Sequence, residues 1–112
     1  MCGRYITPDE AAIEREWGSL PKDFDYFPSY NFAPTQLGPV VIDTDSDTQK
    51  FNDRERTVVM MKWGFQPYWS KRLWINARRE TVFESRAFAS AAKSQRCLVI
   101  ASGWYEWTGD RH

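Results

Sequence analysis

The sequence predicts an α+β fold, and three observations support that class. Residues 57–63 and 97–101 are apolar or β-branched runs of the length and composition of strands. Residues 7–17 combine an apolar stripe with a capping pattern that is typical of a helix. The 112 residues are enough for one domain with a single core.

The first helix has signals at both ends. Thr7 is predicted as the N-cap, Pro8 as the first helical residue and Glu10 as the partner of a capping box. The helix is expected to continue to about Trp17 and to stop at Gly18, because glycine readily adopts the conformation that follows a helix.

The remaining elements follow from composition. Residues 2–6 are predicted to be a short strand that carries Cys2, and residues 20–38 an ordered loop with packed aromatic rings. Residues 40–42 are expected to form a strand and residues 84–94 to have helical character. The run 97–101 is continuous and apolar, so it is interpreted as a buried strand.

The segment after the second predicted strand is acidic. Asp43, Asp45 and Asp47 have the spacing that opens a calcium-binding loop. The pattern then fails, since Thr48 stands where glycine is needed and Arg54 where the closing glutamate should be. An acidic turn is therefore predicted, with no metal and no cofactor.

Charge and aromatic residues are unevenly distributed. Residues 1–60 carry 6 basic and 11 acidic side chains, whereas residues 61–96 carry 8 basic and 2 acidic ones. Six Trp residues raise the aromatic content to 16 %. A basic segment with interleaved aromatic rings is typical of a nucleic-acid groove, and a solvated basic surface is the alternative.

The chain has only two cysteines, Cys2 and Cys97, which predicts no disulfide framework and a reducing compartment. It has no apolar run of about 20 residues and no signal-peptide pattern, so we expect a cytoplasmic protein. His112 is the only histidine, and its terminal position gives no reason to assign it a role.

Cys2 is the main candidate for chemistry. Its small side chain favours removal of Met1, which would leave an α-amine beside a thiol on one residue. Such a 1,2-aminothiol can condense with an aldehyde, because the amine forms an imine and the thiol then closes a five-membered thiazolidine ring. Both groups titrate close to neutrality, at about 8 and about 8.5. The alternative is a small buried hydrophobic residue in a first strand.

Three polar residues are candidates for binding or positioning. Asn76 can both donate and accept hydrogen bonds, so it can hold a substrate hydroxyl or orient a nucleophile. Arg78 would point to the same side in an extended segment and suits bidentate phosphate binding. Arg4 would share a face with Cys2 in a strand. The alternatives are a turn asparagine beside surface arginines, and an ordinary surface ion pair.

Glu106 and Trp69 complete the candidates found from local context. Glu106 lies between two aromatic residues after an apolar run, where partial desolvation would suit it to proton transfer. The alternative is an exposed residue of an edge strand. Trp69 follows a proline-containing turn and would either stack on a base or pack in the core.

Six ordered motifs together resemble one family. They are Met1-Cys2-Gly3-Arg4-Tyr5, Tyr30-Asn31-Phe32-Ala33-Pro34-Thr35, Trp63-Gly64-Phe65-Gln66-Pro67-Tyr68-Trp69, Asn76-Ala77-Arg78-Arg79-Glu80-Thr81, Arg96-Cys97-Leu98 and Gly103-Trp104-Tyr105-Glu106-Trp107. This order resembles the SOS-response-associated peptidase (SRAP) family, which includes abasic-site processing proteins. The resemblance implies a mixed, mainly antiparallel curved sheet with a few flanking helices.

The resemblance also implies site residues and a substrate. Cys2 would capture the aldehyde of an abasic site in single-stranded DNA as a thiazolidine, after autoproteolytic removal of Met1. Asn76 would position the sugar, and Glu106 would move protons in lyase-type chemistry. Residues at the DNA surface are implied as well: Arg4 and Arg78 on flanking phosphates, with Trp69 and Trp107 lining or stacking.

Family members are longer than this chain, so residues 1–112 are expected to be the N-terminal part of one SRAP-like domain. The second half, with a catalytic histidine, would be absent or supplied by a partner chain or a swapped dimer. Two other functions stay open at this point: a cysteine-type peptidase, and a non-catalytic module that binds single-stranded DNA.

Overall fold

A computed structural model describes residues 2–43 and 56–108 of the chain. The α+β class is confirmed, because strands and helices both occur and the strands pair antiparallel. In chain order the elements are β1 (Arg4–Ile6), α1 (Glu10–Glu16), β2 (Leu37–Asp43), β3 (Arg56–Lys62), α2 (Ala89–Ser94), β4 (Leu98–Val99) and β5 (Gly103–Tyr105).

The strands form two small sheets. One sheet contains β1 and β5, and the other has the order β3-β2-β4. The longest pairing joins β2 to β3 over seven residues, from Leu37 opposite Lys62 to Asp43 opposite Arg56. On its other edge β2 pairs only with the two residues of β4. Both sheets are therefore open, with unpaired edges among the described residues.

The core lies between α1 and one face of the three-stranded sheet. Ile13, on α1, is fully buried, and side chains from β2 and β3 alternate into the same cluster. Trp17, Tyr26 and Met60 cover its margin. The buried members of the cluster are Ile13, Leu20, Val41, Val58 and Ile100.

The predicted start of α1 was wrong by two residues. Asp9 is the N-cap, and its carboxylate accepts a hydrogen bond of 2.8 Å from the backbone N–H three residues along. Thr7 is instead buried, where its hydroxyl oxygen accepts a hydrogen bond of 2.7 Å from the N–H of Ser29. Pro8 therefore precedes the cap, and Glu10 is the first helical residue.

The predicted end of α1 was close to the observed one. The helix ends at Glu16, and Gly18 has a φ of +123°, which a residue with a side chain rarely adopts. Its backbone N–H donates to the carbonyl of Ile13 at 3.3 Å, which satisfies one carbonyl of the last turn. The second predicted helix is shorter than expected, since turns occupy most of residues 79–88 and only Ala89–Ser94 is helical.

The run 97–101 does not form the buried strand that its composition predicted. Only Leu98 and Val99 pair with β2, and these two side chains are 53 % and 56 % exposed. Ile100 alone is buried, at 6 % exposure. The reason is that β4 is a two-residue strand at an edge of the sheet, where other described residues cover neither side chain fully.

The loop before β2 contains packed rings only in part. Phe32 packs against Tyr5 with a centroid distance of 4.7 Å, whereas Tyr30 is 81 % exposed. Gly38 permits this packing, because a Cβ there would lie 2.6 Å from the ring of Phe32. The loop thus attaches β1 to the neighbouring sheet through aromatic contacts, with Trp63 as a further member of the group.

Most of the acidic segment, with Asp45, Asp47, Thr48 and Arg54, lies outside the described residues, and so does His112. Within residues 2–43 and 56–108 no set of three His, Cys, Asp or Glu side chains is arranged to hold a metal ion. Neither helix of these two ranges has the length and apolar character needed to span a bilayer.

Candidate functional site

A cavity of about 810 Å³, here named the Cys2 cavity, is lined by residues of both sheets. Its wall is mainly aromatic and aliphatic, with Trp63, Trp104 and Val99 among its members. Three polar candidates from the sequence line it together, namely Cys2, Asn76 and Glu106. An apolar pocket with a few convergent polar groups is the usual form of a ligand site.

The pairing of β1 with β5 brings Cys2 and Glu106 to the same end of a sheet. Arg4 lies opposite Tyr105 in this antiparallel pair. Cys2 precedes Arg4 by two residues and Glu106 follows Tyr105 by one, so both side chains reach the cavity from adjacent chain segments. Glu106 is exposed, which agrees with the edge-strand alternative rather than with a desolvated carboxylate.

Asn76 is held in the cavity by a turn that doubles back from β3. Gly64, with a φ of +123°, begins this turn, and Phe65 then pairs with Trp74 through two backbone hydrogen bonds of 2.8 Å. The indole N–H of Trp63 donates to the carbonyl of Ile75 at 3.0 Å. These bonds fix the backbone on both sides of the turn and place Asn76 next in the chain.

Asn76 is hydrogen-bonded directly to Cys2. Its Nδ2 donates a hydrogen bond of 2.7 Å to the backbone carbonyl of Cys2, across 74 positions of sequence. Both residues are half-buried. The Cys2 thiol donates to the carbonyl of Arg4 at 3.3 Å, which holds the sulfur close to the start of β1. Asn76 therefore positions the backbone of the residue that carries the thiol.

Cys97 is a second thiol in the wall of the same cavity. Burial raises the pKa of the Cys97 thiol above its ordinary value. Since the thiolate is the nucleophilic form, this shift lowers the reactivity of Cys97 near neutral pH. The sequence indicates no chemical role for Cys97, and nothing local could show that it lines the same cavity as Cys2.

Tyr5 also lines the Cys2 cavity. Burial, with smaller contributions from negative charge on Tyr26, Cys2 and Cys97, raises the pKa of Tyr5 to about 12. The phenol is therefore neutral across the physiological range.

The charged residues of the Cys2 cavity are Lys62 and Glu106, so this wall is not strongly positive. A smaller cavity of about 230 Å³, here named the Arg72 cavity, shares a wall with it through Trp74 and Asn76. Arg78 lines this second cavity, together with Arg72. The positive charge expected around the site is thus located beside the Cys2 cavity.

The other predicted DNA-binding residues line neither of these two cavities. The Arg4 guanidinium donates to the carbonyl of Gly3 at 2.6 Å. Trp69 is 37 % exposed, and the Arg86 guanidinium lies 4.0 Å from the centre of its ring. Trp107 is 77 % exposed. These side chains lie on the surface around the site.

Comparison with known proteins decides the family. The family described as SOS response associated peptidase (SRAP) matches the chain over residues 1–112. This chain belongs to the SRAP family. The resemblance seen in the six sequence motifs is therefore confirmed.

Several characterised SRAP relatives are similar to this chain. Abasic site processing protein HMCES of Pongo abelii is 34 % identical over 101 residues, which cover 82 % of this chain and 28 % of the relative. Abasic site processing protein YoaM of Bacillus subtilis is 32 % identical over 115 residues, covering 96 % and 47 %. YoqW of Bacillus phage SPbeta is 31 % identical, covering 96 % and 48 %. The chain thus spans less than half the length of these relatives.

Proposed function

We propose that the protein processes abasic sites in single-stranded DNA by capturing them covalently through Cys2. The observation that carries the proposal is the meeting of Cys2, Asn76 and Glu106 in one cavity, with Asn76 bonded to the Cys2 backbone. The relatives named abasic site processing proteins support the substrate class.

The chemistry needs only the two nucleophiles of one terminal residue. After removal of Met1, the Cys2 amine attacks the aldehyde carbon of the ring-opened sugar, and the carbinolamine loses water to become an imine. The Cys2 sulfur then attacks the imine carbon, its proton passes to the nitrogen, and a thiazolidine ring closes. The net change is loss of one water molecule, with no oxidation or reduction.

Asn76 and Glu106 have different parts in this scheme. Asn76 holds the Cys2 carbonyl, which limits the directions from which the amine and sulfur can approach the sugar. Glu106 lines the same cavity and acts as the proton carrier for loss of water, ring closure and reversal of the crosslink. Self-removal of Met1 and lyase-type cleavage are the further reactions that belong to this proposal.

DNA binding is assigned to residues around the cavity. Arg78 and Arg4 hold phosphates on either side of the lesion. Trp107 is 77 % exposed and offers a ring for stacking, while Arg86 covers one face of Trp69 and leaves the other for a base. We expect the protein to act in the cytoplasm and to be associated with the nucleoid when bound to DNA.

The remainder of an SRAP domain is part of the proposal. This chain spans 28 % to 48 % of the relatives described above, and the exposed β4 and β5 leave room for further strands. A catalytic histidine would come from that remainder, whether it is continuous with this chain, a partner chain or part of a swapped dimer.

The proposal is tested by incubating the purified protein with single-stranded DNA that contains one abasic site. We expect a heat-stable adduct whose intact mass is the sum of protein without Met1 and DNA, less one water. Cys2→Ala and Cys2→Ser both keep the α-amine but lack the thiol. Each should form no heat-stable adduct, only an imine that cyanoborohydride traps.

A form with two extra residues before Cys2 is the control for the free amine, and it should form no adduct. A heat-stable adduct in that form or in Cys2→Ala would contradict the mechanism. Turnover of unrelated peptides would instead favour the cysteine-type peptidase, with Glu106 or the α-amine as base. Equal affinity for intact and abasic strands, unchanged in Cys2→Ala and without an adduct, would favour the binding module.

A further inference from the structure

The Arg72 cavity has the composition of an anion site. Two guanidinium groups, of Arg72 and Arg78, line it together with the hydroxyl-bearing Thr81 and Ser85. Its lining contains no aspartate or glutamate. Guanidinium and hydroxyl groups donate hydrogen bonds to phosphate oxygens, and the unopposed positive charge favours an anion over a neutral ligand.

The Arg72 side chain is restrained in a position from which it can bind an anion. Its guanidinium lies 4.2 Å from the centre of the Trp74 ring, in a cation–π contact. This contact restrains a long side chain that is otherwise exposed, so less freedom is lost when a ligand binds. A guanidinium over a ring keeps N–H donors for a second partner.

Trp74 supplies an independent observation. Its indole N–H is buried and has no hydrogen-bond partner among the described residues. Buried donors are nearly always satisfied, so an unmet one calls for an explanation. Trp74 lines both the Arg72 cavity and the Cys2 cavity.

The position of the cavity selects the kind of anion. Asn76, which bonds to Cys2, belongs to both cavities. A sugar that reacts at Cys2 carries a phosphodiester on each side when it lies within a strand. The positive cavity adjoins the Cys2 cavity, so a phosphodiester of the same strand is the anion that would lie nearest to it.

We propose that the Arg72 cavity is a subsite for one phosphodiester flanking the abasic sugar, with Arg72 as its main ligand beside Arg78. This inference rests on the proposed function, since it takes the strand to be held at Cys2. Arg72 thereby joins the residues that select the substrate. Binding then depends on the charge of one particular phosphodiester.

The test uses a strand with one tetrahydrofuran abasic analogue, which has no aldehyde and cannot form a crosslink. In a series of such strands, one linkage at a time is changed from phosphodiester to methylphosphonate, which removes its charge. Affinity is measured by fluorescence anisotropy. Arg72→Gln should bind the unmodified strand about 10- to 100-fold more weakly, the range of a charge-assisted hydrogen bond.

The control is Lys71→Gln, which removes the same charge from the adjacent exposed residue outside both cavities. It should lower affinity by less than about 3-fold, as expected for a general electrostatic effect. Arg72→Lys keeps the charge but loses the planar fork, and its affinity should lie between wild type and Arg72→Gln. Circular dichroism verifies that each variant is folded.

The decisive result is coupling to one linkage. In the wild-type protein, one methylphosphonate next to the analogue should lower the affinity as much as Arg72→Gln does. In Arg72→Gln, the same methylphosphonate should cause no further loss of affinity. Equal effects of Arg72→Gln and Lys71→Gln, or additive losses at every linkage, would overturn the subsite. Failure of adduct formation with a true abasic strand would overturn the proposed function instead, because the analogue series does not depend on it.

Discussion

Two groups of apolar side chains contrast sharply. The closed side is the buried cluster of Ile13, Leu20, Val41, Val58 and Ile100, in which every side chain is at most 7 % exposed. The open side is the exposed apolar surface of β4 and β5, where Leu98, Val99, Trp104 and Tyr105 are 52 % to 67 % exposed. Similar residue types thus occupy opposite environments, so apolar character alone does not show where the core lies.

The difference separates stability from function. The closed side excludes water and provides the hydrophobic free energy that holds α1 on the sheet. The open side contributes Val99 and Trp104 to the Cys2 cavity. Large contiguous apolar surfaces on soluble proteins mark binding sites, and here the surface adjoins the proposed nucleophile. The predictions below follow from this division.

The largest effect on stability should come from truncating a side chain of the closed side. Ile13→Ala removes a fully buried side chain, so the free energy of unfolding should fall by about 2–5 kcal/mol. Leu98→Ala deletes the same number of atoms from the open side and should cost less than about 1 kcal/mol. Urea unfolding followed by tryptophan fluorescence measures both. Similar losses in the two variants would break the comparison.

The Cys2 cavity, which Asn76 lines together with Val99 and Trp104 of the open side, should instead control the chemistry. Asn76→Ala removes the hydrogen bond to the Cys2 carbonyl, and the rate of adduct formation with abasic DNA should fall about 10- to 100-fold because the nucleophile is less well oriented. The melting temperature should change little. Asn31→Ala, at an exposed loop position, is the control and should react like wild type. An unchanged rate in Asn76→Ala would remove its positioning role.

Tyr5 is a buried residue of β1, and it should make the free energy of unfolding depend on pH. Burial raises the pKa of Tyr5 to about 12, whereas an unfolded tyrosine titrates near its ordinary value of about 10. Between these values the unfolded chain has lost the proton and the folded chain retains it, so stability should fall as pH rises from about 10 to about 12.

In Tyr5→Phe the loss of stability with rising pH should be smaller than in wild type, as measured by urea unfolding at a series of pH values. Tyr30→Phe is the matched control, since Tyr30 is 81 % exposed, and its profile should follow wild type. If Tyr5→Phe and wild type lost stability in parallel over this range, the linkage to Tyr5 would be wrong.

The smallest effect concerns the cap that orients α1 on the closed side. Asp9→Ala removes the side-chain acceptor for the helix N-terminus and should lower the free energy of unfolding by about 1 kcal/mol. Asp9→Asn keeps an acceptor oxygen and should restore most of this loss. Thr7→Ala should not behave as a cap variant, because its hydroxyl bonds to Ser29 instead. Thermal unfolding of the three variants compares them.

Local patterns in the sequence were sufficient for several features. The α+β class, the helix that ends before Gly18 and the paired strands around residues 40–42 and 57–63 each follow from neighbouring residues, because capping, glycine conformation and β-propensity act over a few positions. The ordered motifs also sufficed for membership of the SRAP family. The Asp9 cap was missed because Thr7 and Asp9, two positions apart, are both suitable N-cap residues.

Only the tertiary structure decided how distant segments meet. The bond between Asn76 and Cys2 spans 74 positions, and the cavity that they share with Glu106 depends on the pairing of β1 with β5. The exposure of Leu98 and Val99 likewise depends on the position of β4 at an edge of the sheet. Residue types and short-range periodicity determine which elements form, whereas strand pairing and packing between distant elements determine which side chains come together.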